Sequence, residues 1–122
     1  MLSNKKLKAF LPTVDPERAK KFYKKILGLK LLSEDDFALE FDVNGIPLRI
    51  TTVEKFKPHP FTVLGWDVND LPTLIKSLIK KGVEFERYKF LDQDKLGIWT
   101  APGGTRVAWF KDPDGNLLSL SE

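Results

Sequence analysis

The sequence predicts an α+β fold in which two βαβββ units follow one another, with curved mixed sheets around a central pocket and the helices outside. Two helix patterns each begin at an aspartate, Asp15 and Asp70, and each follows an apolar strand-like segment. The last turn of each unit has the same Asp-x-x-Gly pattern, at residues 42–45 and 112–115. Because one small curved sheet cannot bury both faces, we expect one domain over residues 1–122, with repeats at about 5–55 and 60–122.

In the first unit, residues 8–14 have the apolar character of a strand, and Asp15 followed by Pro16 marks the start of a helix. Gly28 is expected to end this helix. One apolar face is predicted from residues at helical spacing: Ala19, Phe22, Tyr23 and Ile26. Three strands are predicted next, at residues 29–33, 37–41 and 47–53.

The second unit repeats this order. A strand is predicted at residues 62–68, and Asp70 caps a helix that Gly82 ends. The apolar face of that helix comprises Leu71, Leu74, Ile75, Leu78 and Ile79. Strand signals follow at residues 83–87, 96–101, 105–111 and 117–120, with a Pro-Gly-Gly turn at 102–104 and a polar loop at 90–95 that is expected to cover the pocket mouth.

The composition excludes several classes of function. The chain has no cysteine, which excludes disulfides, a thiolate nucleophile and thiolate metal ligands. The net charge of +3 comes from dispersed Lys and Arg residues, so no nucleic-acid partner is expected. No apolar run is long enough to span a bilayer and no signal-peptide pattern is present, so we expect no membrane partner and a cytoplasmic location.

The turn at residues 112–116 lies between two apolar strand-like runs and combines Pro113, which fixes φ, with Gly115, which tolerates positive φ. The segment from Trp109 to Leu120, Trp-Phe-Lys-Asp-Pro-Asp-Gly-Asn-Leu-Leu-Ser-Leu, resembles the vicinal oxygen chelate superfamily. This superfamily includes glyoxalases, bleomycin resistance proteins and extradiol dioxygenases. The resemblance extends over essentially the whole chain, and it implies paired βαβββ units around one ligand site and a homodimer.

The resemblance also implies where a divalent metal would be held, because relatives use up to four side chains from the first and last strands of each unit. The matching positions are Lys8, Arg49, Val63 and Ser119. Charged Lys and Arg have no acceptor, Val has no polar atom, and a Ser hydroxyl alone is a weak ligand. A shift of one residue along each strand brings in no His or carboxylate. We therefore expect no metal and no cofactor.

Lys8 and Arg49 leave two interpretations open. Two cations in the pocket would attract an anionic molecule, which Arg can grip with two hydrogen bonds, or both side chains would extend to the rim and remain hydrated. The strand alternation adds further ligand-binding candidates. Together the predicted ligand-binding residues are Lys8, Phe10, Arg49, Val63, Asp67, Trp99, Trp109 and Ser119. Because Trp109 and Phe110 are adjacent, one is expected to face the pocket and the other the core.

Three functions remain open at this point. The first is a metal-independent protein that binds a small, partly aromatic and anionic molecule in the central cleft. The second is an enzyme of the glyoxalase or dioxygenase type with atypical catalytic residues, although no nucleophile constellation is visible and no catalytic residue is assigned. The third is a non-catalytic regulatory subunit. His59, the one histidine, lies between two prolines and is expected to be a loop residue.

Overall fold

A computed structural model describes all 122 residues of the chain. The chain divides into two compact units, Met1–Lys57 and Pro58–Glu122. Each unit contains one helix and one four-stranded mixed sheet, so the predicted α+β fold with tandem βαβββ units is confirmed. Neither helix has the length and the apolar character that crossing a membrane would require.

The first unit consists of β1 (Ala9–Thr13), α1 (Pro16–Lys21), β2 (Lys30–Glu34), β3 (Ala38–Val43) and β4 (Ile46–Thr52). The strands lie in the order β1-β4-β3-β2, with β1 parallel to β4 and the other neighbours antiparallel. The Asp15 carboxylate accepts a hydrogen bond from the Arg18 amide at 3.1 Å, which caps α1 as predicted.

The helix α1 continues into a π-helical turn at Phe22–Ile26. Consecutive residues are separated by a smaller rotation in a π-helix than in an α-helix, so the adjacent Phe22 and Tyr23 can both enter the core. The ring of Tyr23 lies 6.1 Å from that of Phe41 in β3. The helix therefore covers one face of the sheet and leaves the opposite face open.

The second unit consists of β5 (Thr62–Asp67), α2 (Leu71–Lys80), β6 (Trp99–Thr100), β7 (Arg106–Lys111) and β8 (Leu117–Ser121). The strands lie in the order β5-β8-β7-β6, with β5 parallel to β8. The core combines the apolar face of α2 with alternate residues of the two central strands; its members are Leu71, Ile75, Leu78, Ala108, Phe110, Leu118 and Leu120. The residues between them in β7 and β8 lie on the open face of this sheet.

One predicted strand was wrong and another was predicted too long. Residues 83–87 form no strand: Phe85 makes an isolated bridge to Phe110, and the Glu86 amide donates to the Trp109 carbonyl at 2.8 Å. The predicted strand at 96–101 shortens to β6. Both segments bond to the same outer edge of β7, one at each end, and residues 88–98 form a loop between them. The edge of β7 offers only one row of backbone hydrogen-bonding groups. The two segments therefore divide the edge that one full strand would otherwise pair with.

The Asp112 turn joins β7 to β8 through a nearly buried carboxylate that is 5% exposed. Its oxygens accept hydrogen bonds from the Asp114 amide (2.9 Å), the Asn116 amide (2.9 Å) and the Asn116 side chain (2.8 Å). The corresponding turn of the first unit has fewer side-chain hydrogen bonds, because Asp42 accepts one bond, from the Gly45 amide at 3.1 Å. The same sequence pattern therefore supports two turns of different strength.

The Glu122 carboxylate lies at the start of α2, a role that no sequence pattern indicated. It accepts hydrogen bonds from the amides of Asp70 (2.7 Å) and Leu71 (3.1 Å) and forms an ion pair with Arg106. These contacts, led by the Leu71 amide, lower the pKa of Glu122 below its ordinary value of 4.5. Glu122, which lies 51 positions after Leu71 in the sequence, thus completes the helix cap that Asp70 begins.

The Asp112 turn yields a prediction of stability. Substitution Asp112→Ala leaves buried amides without their charged acceptor, so we expect the free energy of unfolding to fall by about 2–4 kcal/mol in urea denaturation. The matched control is Asp42→Ala in the first unit, which removes one exposed bond and is expected to cost less than about 1 kcal/mol. Equal losses in the two variants would contradict this account of the turn.

The lowered pKa of Glu122 predicts a dependence of stability on pH. A carboxylate whose pKa is lowered by folding stabilises the protein fully above its unfolded-state pKa, and this contribution disappears as the pH falls through the folded-state value. We expect Glu122→Gln to melt at a lower temperature than the unsubstituted protein at pH 7, with the gap narrowing below pH 4.5. Thermal melts at several pH values measure this, with exposed Glu54→Gln as the control; a gap that stays constant across pH would refute it.

Candidate functional site

The open face of the second sheet carries four aromatic side chains in mutual contact, here called the aromatic cluster: Tyr88, Phe90, Trp99 and Trp109. The rings of Trp99 and Trp109 are 6.1 Å apart and tilted by 32°. Tyr88 meets Trp109 edge-on, at 5.6 Å and 84°, and Phe90 lies 5.5 Å from Tyr88. Phe90 is 81% exposed. The cluster therefore presents a large aromatic surface that the unit leaves partly uncovered.

The alternation of β7 explains why the cluster faces outward. Phe110 is fully buried, and Trp109 projects from the other side of the strand. Trp99 pairs with Val107, two residues before Trp109, and thus shares its face. Tyr88 and Phe90 were not predicted as site residues, because they lie in a loop where no periodicity operates. The only sequence signal was the alternation of charged and aromatic residues at 86–90.

Trp109, Ser119 and Gly65 are register partners on three adjacent strands. Their side chains become smaller in that order across the sheet. A methyl group added at Gly65 would lie 2.5 Å from the Ser119 hydroxyl oxygen, so this hydroxyl occupies the space above the glycine. The row leaves a low strip of surface beside the tall Trp109 indole. Ser119 and Trp109 are thus brought together.

The other two predicted residues of this unit lie apart from that row. Asp67 accepts a hydrogen bond from the Ser121 hydroxyl at 3.0 Å, one step further along the strands. Val63 falls at a β-bulge, where the pairing of β5 with β8 shifts between Thr62 and Leu64. The bulge interrupts the alternation that was expected to relate Val63 to the residues after it.

Burial raises the pKa of Tyr88 above its usual value of 10.0, and the negative charge of Glu86 adds to the effect. The phenol therefore remains neutral around pH 7. Its hydroxyl is able to donate a hydrogen bond as well as to accept one. Within the aromatic cluster, Tyr88 thus adds a polar group to an otherwise apolar surface.

The open face of the first sheet carries Phe10, Arg49 and Glu40 in one row of register partners. Phe10 is 61% exposed, and the Lys8 ammonium lies 3.7 Å from the Glu40 carboxylate. The sequence predicts Lys8 and Arg49 as two cations on one face; the structure adds the negative charge of Glu40 to the same face. The signal for Glu40 was available in the predicted hairpin, because a residue opposite Arg49 must share its side of the sheet.

Arg49 differs from Lys8 because it forms no ion pair within 4 Å. Its charge still acts on Asp35, whose pKa is lowered mainly by hydrogen bonds from the Phe37 and Ala38 amides and in smaller part by Arg49. Arg49 is half-buried, on a strand that lies between β3 and β1 in the sheet. Arg49 is therefore the cation of this face with the greater capacity to bind an added anion.

The four positions that relatives use for a metal ion do not fit one here. Lys8 is engaged with Glu40, Arg49 offers only donors, Val63 has no polar atom, and the Ser119 hydroxyl is packed over Gly65. No three His, Cys, Asp or Glu side chains of the chain are gathered closely enough to hold a metal. His59 lies exposed in the loop before β5 and stacks on Phe61 at 4.8 Å.

Comparison with known proteins supports the fold over its full length. A protein from Bacillus anthracis assigned to the glyoxalase family matches with a TM-score of 0.79 at 16% identity, covering 100% of this chain and 97% of that one. A superfamily member from Sphaerobacter thermophilus matches at 0.78 and 22% identity, covering 100% and 99%. Lactoylglutathione lyase from Agrobacterium tumefaciens matches at 0.76 and 14% identity, covering 100% and 96%.

No curated protein matches the chain in sequence. The model of the Glyoxalase/Bleomycin resistance protein/Dioxygenase superfamily, however, matches residues 7–120, nearly the whole length. This match confirms the resemblance inferred from the segment around the Asp112 turn. With its two tandem βαβββ units and this family match, the chain belongs to the Glyoxalase/Bleomycin resistance protein/Dioxygenase superfamily.

Proposed function

We propose that this protein binds a small, partly aromatic and anionic molecule and that binding requires no metal ion. The observation that carries the proposal is the aromatic cluster on the open face of the second sheet. Exposed aromatic surface of this kind is costly in water and is covered favourably by another ring, with each aromatic pair contributing roughly 0.5–1.5 kcal/mol beyond simple burial. Small-molecule sites are commonly apolar surfaces with a few polar groups.

The shape of the surface favours a flat ligand. Tyr88 and Trp109 meet at 84°, so their rings form an inside corner, and the strip over Ser119 and Gly65 lies low beside it. A planar ring can stack on one wall of such a corner and meet the other wall with its edge, which are the two preferred aromatic geometries. A branched aliphatic group would gain less from these contacts.

The anionic character of the ligand is inferred separately, from Arg49 on the open face of the first sheet. Its guanidinium has no partner within 4 Å and can hold a carboxylate or phosphate with two parallel hydrogen bonds. Lys8 contributes less, since half of its side chain is exposed and its charge is already offset by Glu40. This assigns the anion to Arg49 ahead of Lys8.

The chemistry of the available donors supports metal independence. Glyoxalase-type and dioxygenase-type reactions in this superfamily use a metal held by His and carboxylate groups, and here those positions carry Lys, Arg, Val and Ser. A divalent cation beside Lys8 and Arg49 would meet two positive charges and only one carboxylate, that of Glu40, which is already paired with Lys8. Binding of an organic anion is the function that these side chains support best.

We predict that the anionic aromatic dye 8-anilinonaphthalene-1-sulfonate binds to the folded protein and that Trp109→Ala weakens its affinity. Loss of one stacking wall is expected to raise the Kd by about tenfold, equivalent to ~1.4 kcal/mol. Dye fluorescence titration measures the Kd, and dialysis against EDTA is expected to leave it unchanged. Phe61→Ala, which removes another exposed aromatic ring, is the matched control.

Two results would contradict this proposal. Equal dye affinity in Trp109→Ala, Phe61→Ala and the unsubstituted protein would remove the aromatic cluster from the binding site. Stoichiometric zinc, iron, manganese or nickel retained after dialysis, together with loss of dye binding in EDTA, would remove metal independence and favour an enzyme of the glyoxalase or dioxygenase type.

We also propose that the protein is a homodimer. The first unit exposes several large apolar side chains to solvent, namely Phe10, Leu32 and Phe37, and a second copy of the chain is a partner that would cover them. We expect light scattering after size exclusion to give twice the mass of the chain, and Phe10→Glu to shift the protein toward monomer. Ile79→Glu on the exposed side of α2 is the control; a monomer at every concentration would exclude the dimer.

A further inference from the structure

We infer that residues 88–98 form a preassembled arm that fixes the geometry of the aromatic cluster, and that Gln93 is the positioning residue of this arm. The inference rests on the proposed binding of an aromatic anion and deepens it, because it assigns the preference for planar rings to specific contacts. The hydrogen bonds of the Gln93 side chain all go to backbone groups. Its effect on binding would be exerted through Tyr88.

The Gln93 side chain joins the two ends of the loop. Its amide oxygen accepts a hydrogen bond from the Tyr88 amide at 2.7 Å. Its amide nitrogen donates to the Glu86 carbonyl at 3.0 Å and to the Gly97 carbonyl at 2.8 Å. One side chain therefore satisfies three backbone groups that have no strand partner, and it does so in a half-buried position where water would replace these bonds poorly.

Further hydrogen bonds between side chains and backbone fix the conformation of the rest of the loop. Arg87 donates to the carbonyls of Asp94 (2.6 Å) and Lys95 (2.5 Å). The Asp94 carboxylate accepts from the amides of Leu96 and Ile98, both at 2.9 Å. A loop held in this way is ordered before any ligand arrives, so binding does not have to order it.

These two sets of contacts act on different parts of the loop. Gln93 and the bond from the Glu86 amide to Trp109 fix the backbone on both sides of Arg87, and they hold the Tyr88 ring at 84° to Trp109. Asp94 fixes only the return turn at 94–98. The loop also projects Phe90, which touches Tyr88 and is otherwise open to solvent. Removing the Gln93 side chain would therefore free the Tyr88 ring from its fixed angle to Trp109, whereas removing the Asp94 carboxylate would not.

This difference provides a test by selectivity. Displacement of the bound dye compares naphthalene-2-sulfonate, a planar aromatic anion, with octane-1-sulfonate, an aliphatic anion of the same charge. In the unsubstituted protein we expect the aromatic anion to bind about tenfold more tightly, since only the ring can use both walls of the corner. Gln93→Ala is expected to reduce this ratio to about two, with Phe90→Ala having a smaller effect in the same direction.

The matched control is Asp94→Ala, which removes two hydrogen bonds between a side chain and the backbone of the same loop, where Gln93→Ala removes three. It is expected to lower the melting temperature as Gln93→Ala does and to keep the selectivity ratio. Gln93→Glu is a second variant, because it retains the acceptor for the Tyr88 amide but sets a carboxylate oxygen against the carbonyls of Glu86 and Gly97; we expect the ratio to fall as it does in Gln93→Ala.

The outcomes separate the two proposals. If Trp109→Ala leaves binding of naphthalene-2-sulfonate unchanged, the proposed function itself fails. If Trp109→Ala weakens binding but the Gln93 variants keep the ratio of the unsubstituted protein, the ligand site stands and the positioning role of Gln93 is refuted. If Gln93→Ala and Asp94→Ala lower the ratio equally, Gln93 is a structural residue of the loop and the inference is likewise refuted.

Discussion

Parallel pairing between the first and last strands of each unit is the constraint on which the remaining architecture depends. It joins β1 to β4 and β5 to β8, and it places their open-face residues side by side. Phe10 lies beside Arg49 in the first unit, and Gly65 lies beside Ser119 in the second. The same strand arrangement therefore presents the Phe10 ring and the Arg49 cation in the first unit. In the second unit it presents the exposed backbone of Gly65 and the Ser119 hydroxyl. The two open faces therefore differ in chemistry at the same pair of neighbouring strands.

The parts of the fold that were predictable are those determined locally. Asp15, Asp70 and the two Asp-x-x-Gly turns act within a few residues of themselves, and the alternation along β7 and β8 separates core from open face without tertiary information. The strand predictions at residues 83–87 and 96–101 failed because both segments compete for the same edge of β7. Both have strand character, and only the single free edge of β7 decides how they divide it.

The candidate site was predictable to a smaller extent for the same reason. The resemblance indicated Ser119, and alternation required that one of Trp109 and Phe110 lie on the open face, but the placement of Val63 depends on a bulge that no sequence pattern predicted. Tyr88 and Phe90 reach Trp109 only because a loop folds back through Gln93, and Glu122 reaches α2 only because β8 ends beside it. Each of these contacts joins segments whose proximity is a property of the assembled unit.

The order of strands has a further consequence for how the chain emerges from the ribosome. In each unit the strand made last is placed inside the sheet: β4 lies between β1 and β3, and β8 lies between β5 and β7. Until that strand is synthesised, β1 or β5 has no neighbour to pair with, and its helix has only part of a surface to cover. Cotranslational folding should therefore proceed in two abrupt steps, one per repeat, each waiting for a central strand, because non-local pairing must overcome loop-closure entropy before it stabilises anything.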